Sequence, residues 1–180
     1  YEIGNIMVPK PKEVDCGDGY AVIHHERGAY LLALDGLGHG THAQEAAQLA
    51  VKTYCENPIP DPALALQAIH TSIRRTRGAV GFAASIDISQ NSFTYCGIGN
   101  IAGKLFSTES ALGSMPYKNV ISYNGILGHN IPGTFNNQKL EWNRSKLLIV
   151  HSDGLFIGNH HYVMEHEFEL LESALSSFLC

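Results

Sequence analysis

Charge is scarce in this chain. Only 16% of its 180 residues are Asp, Glu, Lys or Arg, below the usual quarter for a globular protein. Lysine and arginine number 12 against 17 acidic residues, a net charge of −5. A duplex nucleic-acid binder carries a basic surplus or stripe, so no nucleic acid is expected as a partner. The densest basic cluster, Arg74, Arg75 and Arg77, ends a predicted helix and suits its negative dipole end. No apolar run reaches the roughly 18 residues that a membrane helix needs. No basic stretch followed by an apolar one reads as a signal peptide. Cysteine is limited to Cys16, Cys55, Cys96 and Cys180, with no CxxC pair. Zinc therefore lacks its paired ligands, and we expect reduced thiols in a cytoplasmic protein. A GxSxG elbow and the Gly-Lys-Ser/Thr of a phosphate loop are missing too. The first residue is Tyr1 rather than Met, as in a fragment of something longer.

What is present is an ordinary core and much glycine. Apolar residues make up 44% and glycines number 18, which fits one globular domain over residues 1–180. Tyr20, Val22 and Ile23 begin a strand that Arg27-Gly28 turns into a denser apolar run, Ala29 to Leu34, buried on both faces. Thr41 with Gln44 has the spacing of a capping box. Ala43, Ala46, Ala47, Ala50 and Tyr54 then follow at helical spacing. Asp61-Pro62 has the N-cap and N1 pattern of a second helix, with Leu66, Ile69 and Ile73 as its stripe and Gly78 to close it. Phe82 to Ile88 and Phe93 to Ile98 predict a hairpin turned near Gln90-Asn91. Lys104 to Phe106, Val120 to Tyr123 and Lys146 to Val150 predict further strands, and residues 107–136 a long loop region. Met164, Phe168, Leu171, Leu175 and Phe178 predict a final helix. Helices and strands come in blocks, so the class is α+β with antiparallel sheets.

Two aspartates stand out because each ends a buried strand and precedes a glycine: Asp35-Gly36 and Asp153-Gly154. Asp18, in Cys16-Gly17-Asp18-Gly19, is a third candidate. Carboxylates brought together repel unless a proton or cation lies between them. Oxygen-only donors of this kind favour hard cations such as Mg or Mn. The bland alternative is that Asp-Gly pairs only form turns. A dinucleotide-binding turn fits badly: Asp35 precedes the first glycine, the spacing is not GxGxxG, and a second helix follows the first. His39 and His42 lie near a helix start, but no third ligand completes a zinc site. His39, in a glycine loop near carboxylates, suits a general acid as well as it suits loop packing.

The ordered set Gly17-Asp18, Asp35-Gly36-Leu37-Gly38-His39-Gly40, Gly97-Ile98-Gly99-Asn100, Asn124-Gly125-Ile126-Leu127-Gly128 and Ser152-Asp153-Gly154-Leu155 resembles the metal-dependent protein phosphatases of type 2C. It looks most like their bacterial SpoIIE-like, stress-response branch. The resemblance implies a four-layer α-β-β-α sandwich of two antiparallel sheets. It implies a site holding two Mn or Mg ions, with Asp35 bridging them, the Gly36 carbonyl on one, Asp153 on the other and Asp18 holding metal-bound water. Water activated there would attack phosphorus, with Asp35, Asp153 and His39 as the catalytic candidates. The substrate would be phosphoserine or phosphothreonine on a partner protein, such as an anti-sigma-factor antagonist, and the phosphatase a monomer.

The resemblance has departures. The family ends in a strand carrying a further metal-binding aspartate, whereas here no aspartate follows Asp153. That leaves truncation, or a missing edge strand and ligand; Glu165, Glu167 and Glu169 are poor substitutes on the polar side of a helix. Asn100 stands where other branches carry aspartate. Leu37 occupies the place of a histidine in eukaryotic members, and their phosphate-binding arginine has no clear counterpart. An alternative to an active phosphatase is therefore a regulatory domain that kept the fold with an incomplete metal site.

Overall fold

The computed structural model describes residues 2–9, 12–108 and 116–153. The chain opens with a hairpin, β1 (Asp18–His25) and β2 (Gly28–Gly36), followed by helices α1 (Thr41–Glu56) and α2 (Pro62–Ser72). Next come β3 (Ala79–Asp87), β4 (Ser92–Ile98), β5 (Ala102–Ser107), β6 (Tyr117–Asn119), β7 (Gln138–Glu141) and β8 (Lys146–His151). They form a five-stranded sheet, ordered β1-β2-β3-β4-β7, and a three-stranded sheet, ordered β6-β5-β8. Every ladder is antiparallel.

The alternation of apolar residues along β2, β3 and β4 builds two cores from one sheet. Leu32, Leu34, Ala79, Ala83, Cys96 and Ile98 face the helices and pack with Ala50, Leu66, Ile69 and Ile73. Val80, Phe82, Ala84, Ile86, Phe93 and Tyr95 face the smaller sheet and pack with Leu105, Val120, Leu148 and Val150. The order of layers is helices, large sheet, small sheet. The predicted final helix, residues 164–178, would supply the fourth layer and lies outside the described residues, as does Gly154.

The alanine face of α1 is what lets it lie so close to the sheet. A β-carbon on Gly36 would stand 2.2 Å from the Ala43 carbonyl oxygen, so only glycine fits there. The capping box does not form. The N-cap is Gly40, whose carbonyl accepts from the Ala43 and Gln44 amides. Thr41 already belongs to the helix and donates instead to Asp15 Oδ2 at 2.9 Å. The second helix starts as its sequence dictates, with Asp61 Oδ1 accepting from the Leu64 amide at 3.0 Å and Pro62 in the first turn. It ends at a C-cap of Ile73 rather than at Gly78, which sits in the turn leading to β3. Two strand assignments shift. The partner of β5 is 117–119, and Tyr123 makes only an isolated bridge to Ile98. The edge strand β7 lies in a polar stretch that no apolar alternation marks.

Candidate active site

The strand register brings the three aspartates to one end of the sandwich. Asp18 at the start of β1 is directly opposite Asp35 near the end of β2. Directly paired residues point to the same face of a sheet. Leu34 faces the helices, so Asp35, next along the strand, faces the smaller sheet and Asp18 shares that face. Asp153 arrives from that smaller sheet, just past β8, whose last residue His151 pairs with Ala102. Ser152 Oγ donates to Asp18 Oδ2 at 3.1 Å, tying the two sheets together at this point. Asn100 Nδ2 donates to Asp153 Oδ2 at 3.4 Å from the turn between β4 and β5.

The electrostatics follow from that convergence. Burial, then the neighbouring Asp18 and Asp153 carboxylates, push the Asp35 carboxyl up to about 6. Asp18 is raised by burial and by Asp153, with the Ser152 hydroxyl pulling the other way. Burial first, and the two carboxylates after it, disfavour the Asp35 anion, which a cation bound there would offset. All the side-chain donors are oxygens, which suits Mg or Mn. Among the described residues, no group of three or more His, Cys, Asp or Glu side chains is gathered to hold an ion by itself.

The loop after β2 is fixed by its backbone. The Gly36 amide donates to the Gly17 carbonyl and the Leu37 amide to the Gly78 carbonyl, both at 3.0 Å. Gly38 and Gly40 hold φ of 94° and 70°, a region that side chains disfavour. His39 is exposed and its Nδ1 pairs with Glu13 Oε1 at 2.8 Å. His42 pairs with Glu45 on the helix surface, so the two histidines do not share a ligand position. Sequence reasoning missed Ser152 as a support of Asp18, and Glu13 and Asp15 as acidic residues lying along the glycine loop and the start of α1. Ser152 had a signal in its neighbour Asp153; Glu13 and Asp15 had none.

The fold is that of solved type 2C phosphatase domains, SpoIIE among them. The chain is 28% identical over 141 residues to the phosphoserine phosphatase RsbX of Bacillus subtilis (strain 168), covering 78% of this chain and 67% of that protein. A solved structure from work on the bacterial stressosome as a modular system adapted to control secondary messenger signalling matches with a TM-score of 0.77. It is 28% identical, over 86% of this chain and 78% of that one. RsbX in complex with magnesium matches with a TM-score of 0.76 at 20% identity, over 92% and 84% of the two chains. The phosphatase domain of SpoIIE from Bacillus subtilis matches with a TM-score of 0.68 at 20% identity, over 91% and 49%. No protein-family model matches the chain. The motif-based resemblance thus holds in both sequence and fold. No helix among the described residues is long and apolar enough to cross a membrane.

Proposed function

We propose that the protein is a divalent-metal-dependent phosphatase that removes phosphate from serine or threonine of a partner protein in stress signalling. The observation that carries the reading is the meeting of Asp18, Asp35 and Asp153 at one end of the two sheets, with Asp35 resisting ionisation. Asp35, the Gly36 carbonyl and Asp153 would hold two Mn or Mg ions, with Asp18 in support. Bound there, such ions would acidify water and offset charge on the phosphoryl oxygens. The chain's own groups do the rest. Ser152 orients Asp18 and Asn100 orients Asp153 through the bonds described above. His39, kept in place by Glu13, is the group on the glycine loop that can give a proton to the leaving serine oxygen. The magnesium complex of RsbX supports the choice of cation. Relatives named for phosphoserine hydrolysis and for the stressosome support a phosphoserine substrate in stress signalling; on the motif resemblance, the substrate in this reading is a phosphoprotein of the anti-sigma-factor-antagonist kind, acted on by a monomer in the cytoplasm.

The test is hydrolysis of a phosphoserine peptide with and without Mn or Mg. Asp35→Asn should lower the rate more than roughly a hundredfold, the upper end of the loss when only an outer partner of a metal site is removed, with the circular dichroism spectrum unchanged. A variant as fast as the parent ends the assignment of Asp35. Mn binding no tighter than millimolar by calorimetry, with no hydrolysis, favours instead the regulatory domain with an incomplete site.

A further inference from the structure

His70 stands in the last turn of α2, where the helix dipole favours a positive side chain. The structure gives it another task. It is only 8% exposed, and its ring meets the turn at 126–130. There Nδ1 accepts from the Gly128 amide at 3.1 Å. An amide N–H can only donate, so this bond exists only while Nδ1 carries no proton.

The turn is built to reach that ring. Gly128 holds a φ of 90°. It lies so close to the end of α2 that a β-carbon on it would stand 2.9 Å from the Ile73 carbonyl oxygen. Ile126 and Asn130 close the turn on each other through backbone bonds, and Leu127 anchors it in the core. The turn also covers Gly78: a β-carbon there would meet the Leu127 carbonyl oxygen and His129 Cδ2, both at 2.6 Å. The Gly78 carbonyl in turn accepts from the Leu37 amide. The segment that His70 holds thus backs the residue that holds the glycine loop after Asp35.

The surroundings oppose a charged ring. Burial acts first, then Arg74, four residues on, and His129 across the turn; all three hold the His70 pKa below the ordinary histidine value. Among the described residues no carboxylate pairs with it. His129 is not poised in the same way. Its Nε2 donates to the Arg77 carbonyl at 2.9 Å, a bond that either charge state can make. We infer that His70 is a proton-operated latch: neutral, it pins the 126–130 turn to α2, and protonated in mild acid it releases that turn and loosens its backing of the Gly78–Leu37 contact. The opened ring takes up a proton more readily than the pinned one. The pinning is therefore complete above pH 6.5, the ordinary histidine value, and weakens as pH falls below it. The inference does not depend on the phosphatase reading.

Amide hydrogen exchange of the full chain, followed residue by residue by NMR between about pH 7.5 and 5.5, reads the latch. Each rate is compared with that of an unstructured peptide at the same pH, so that only protection is scored. The proteins are the parent, His70→Asn and His129→Gln. Asn offers an acceptor that cannot take a proton, and Gln keeps a donor for the Arg77 carbonyl. In the parent the Gly128 amide should lose protection at least about fivefold over this range, the factor for one hydrogen bond. The Leu37 amide should lose protection with it. His70→Asn should keep constant protection, and His129→Gln should follow the parent. Gly128 protection that stays level in the parent overturns the inference, as does the same fall in His70→Asn. A fall that disappears in His129→Gln gives the proton to His129 and overturns it too. A loss at Gly128 with none at Leu37 overturns the link to the glycine loop. Where His70→Asn does not fold, the imidazole nitrogen chemical shifts of the parent decide: an unprotonated Nδ1 at about pH 7.5 supports the latch, and a protonated one overturns it.

Discussion

Asp35 is a residue whose placement costs the fold something that a ligand can return. Unfolded, its carboxyl titrates near 3.8; folded, burial and then Asp18 and Asp153 move it to about 6. The native state thus holds this proton more tightly than the unfolded chain does. The protonated carboxyl favours the fold fully below 3.8, and that contribution is gone once pH rises past about 6. In the metal-free protein, Asp35→Asn should therefore be more stable than the parent at neutral pH, with the gap closing between about pH 6 and 3.8. Urea titrations of both proteins across that range measure it, and other acid-labile groups cancel in the difference. A parent that stays more stable than the variant at neutral pH would contradict the crowding of carboxylates. At this scale the sequence was legible where chemistry repeats. An aspartate ending an apolar strand before a glycine, met twice, singled out Asp35 and Asp153, which the strands bring to one end of the two sheets. The Glu13 pair to His39 was illegible, because nothing local to an exposed glutamate says which loop it will reach.

Helices were read more securely than short strands, for a physical reason. The stripe Ala43, Ala46, Ala47, Ala50 and Tyr54 repeats over the whole of α1, and all five residues are buried. The strands β6 and β7 have 3 and 4 residues that are nearly all exposed, so their pairing comes from neighbours rather than from their own pattern. The capping box failed for a similar reason: Thr41 had a partner in Asp15 from a distant segment, and tertiary contact overrode the local signal. The loop region between β5 and β8 also contributes to the core. Leu127 is 0% exposed and packs with Leu34 and Leu66. Its Cδ1 lies 2.8 Å from the point where a β-carbon on Gly81 would be, so the strand carries glycine where this leucine presses on it. Leu127→Ala should cost about 2–5 kcal/mol, the usual range for a buried leucine truncated in a packed core. Chemical denaturation measures it. A loss under about 1 kcal/mol would mean that the loop packs only loosely on the sheet, since well-filled sites do not collapse so cheaply.

Across the whole molecule, the site belongs to the joint between two sheets rather than to either one. Asp18 and Asp35 come from the large sheet, Asp153 from the end of the small one, and within this group the Ser152 hydroxyl makes the direct bond across, to Asp18. The two sheets otherwise meet through the apolar layer of Phe82, Phe93, Tyr95, Leu105 and Leu148. A cation shared by carboxylates of both sheets, as proposed above, would add a tie that the unfolded chain cannot offer. Binding only to the native state stabilises by mass action, about 2.7 kcal/mol at a hundred times Kd. For a chain of this length that corresponds to a rise in Tm of roughly 5–10 °C. Melting the full chain at increasing Mn concentration should give this rise, growing with the logarithm of concentration. Asp153→Asn should flatten it although its substitution leaves both carboxylates of the large sheet in place. If Asp153→Asn keeps the full metal-dependent rise, the ion is held by the large sheet alone and the cross-sheet site is wrong. If neither protein responds to Mn, the end-on carboxylates do not form a metal site, and the excess charge around Asp35 needs another explanation.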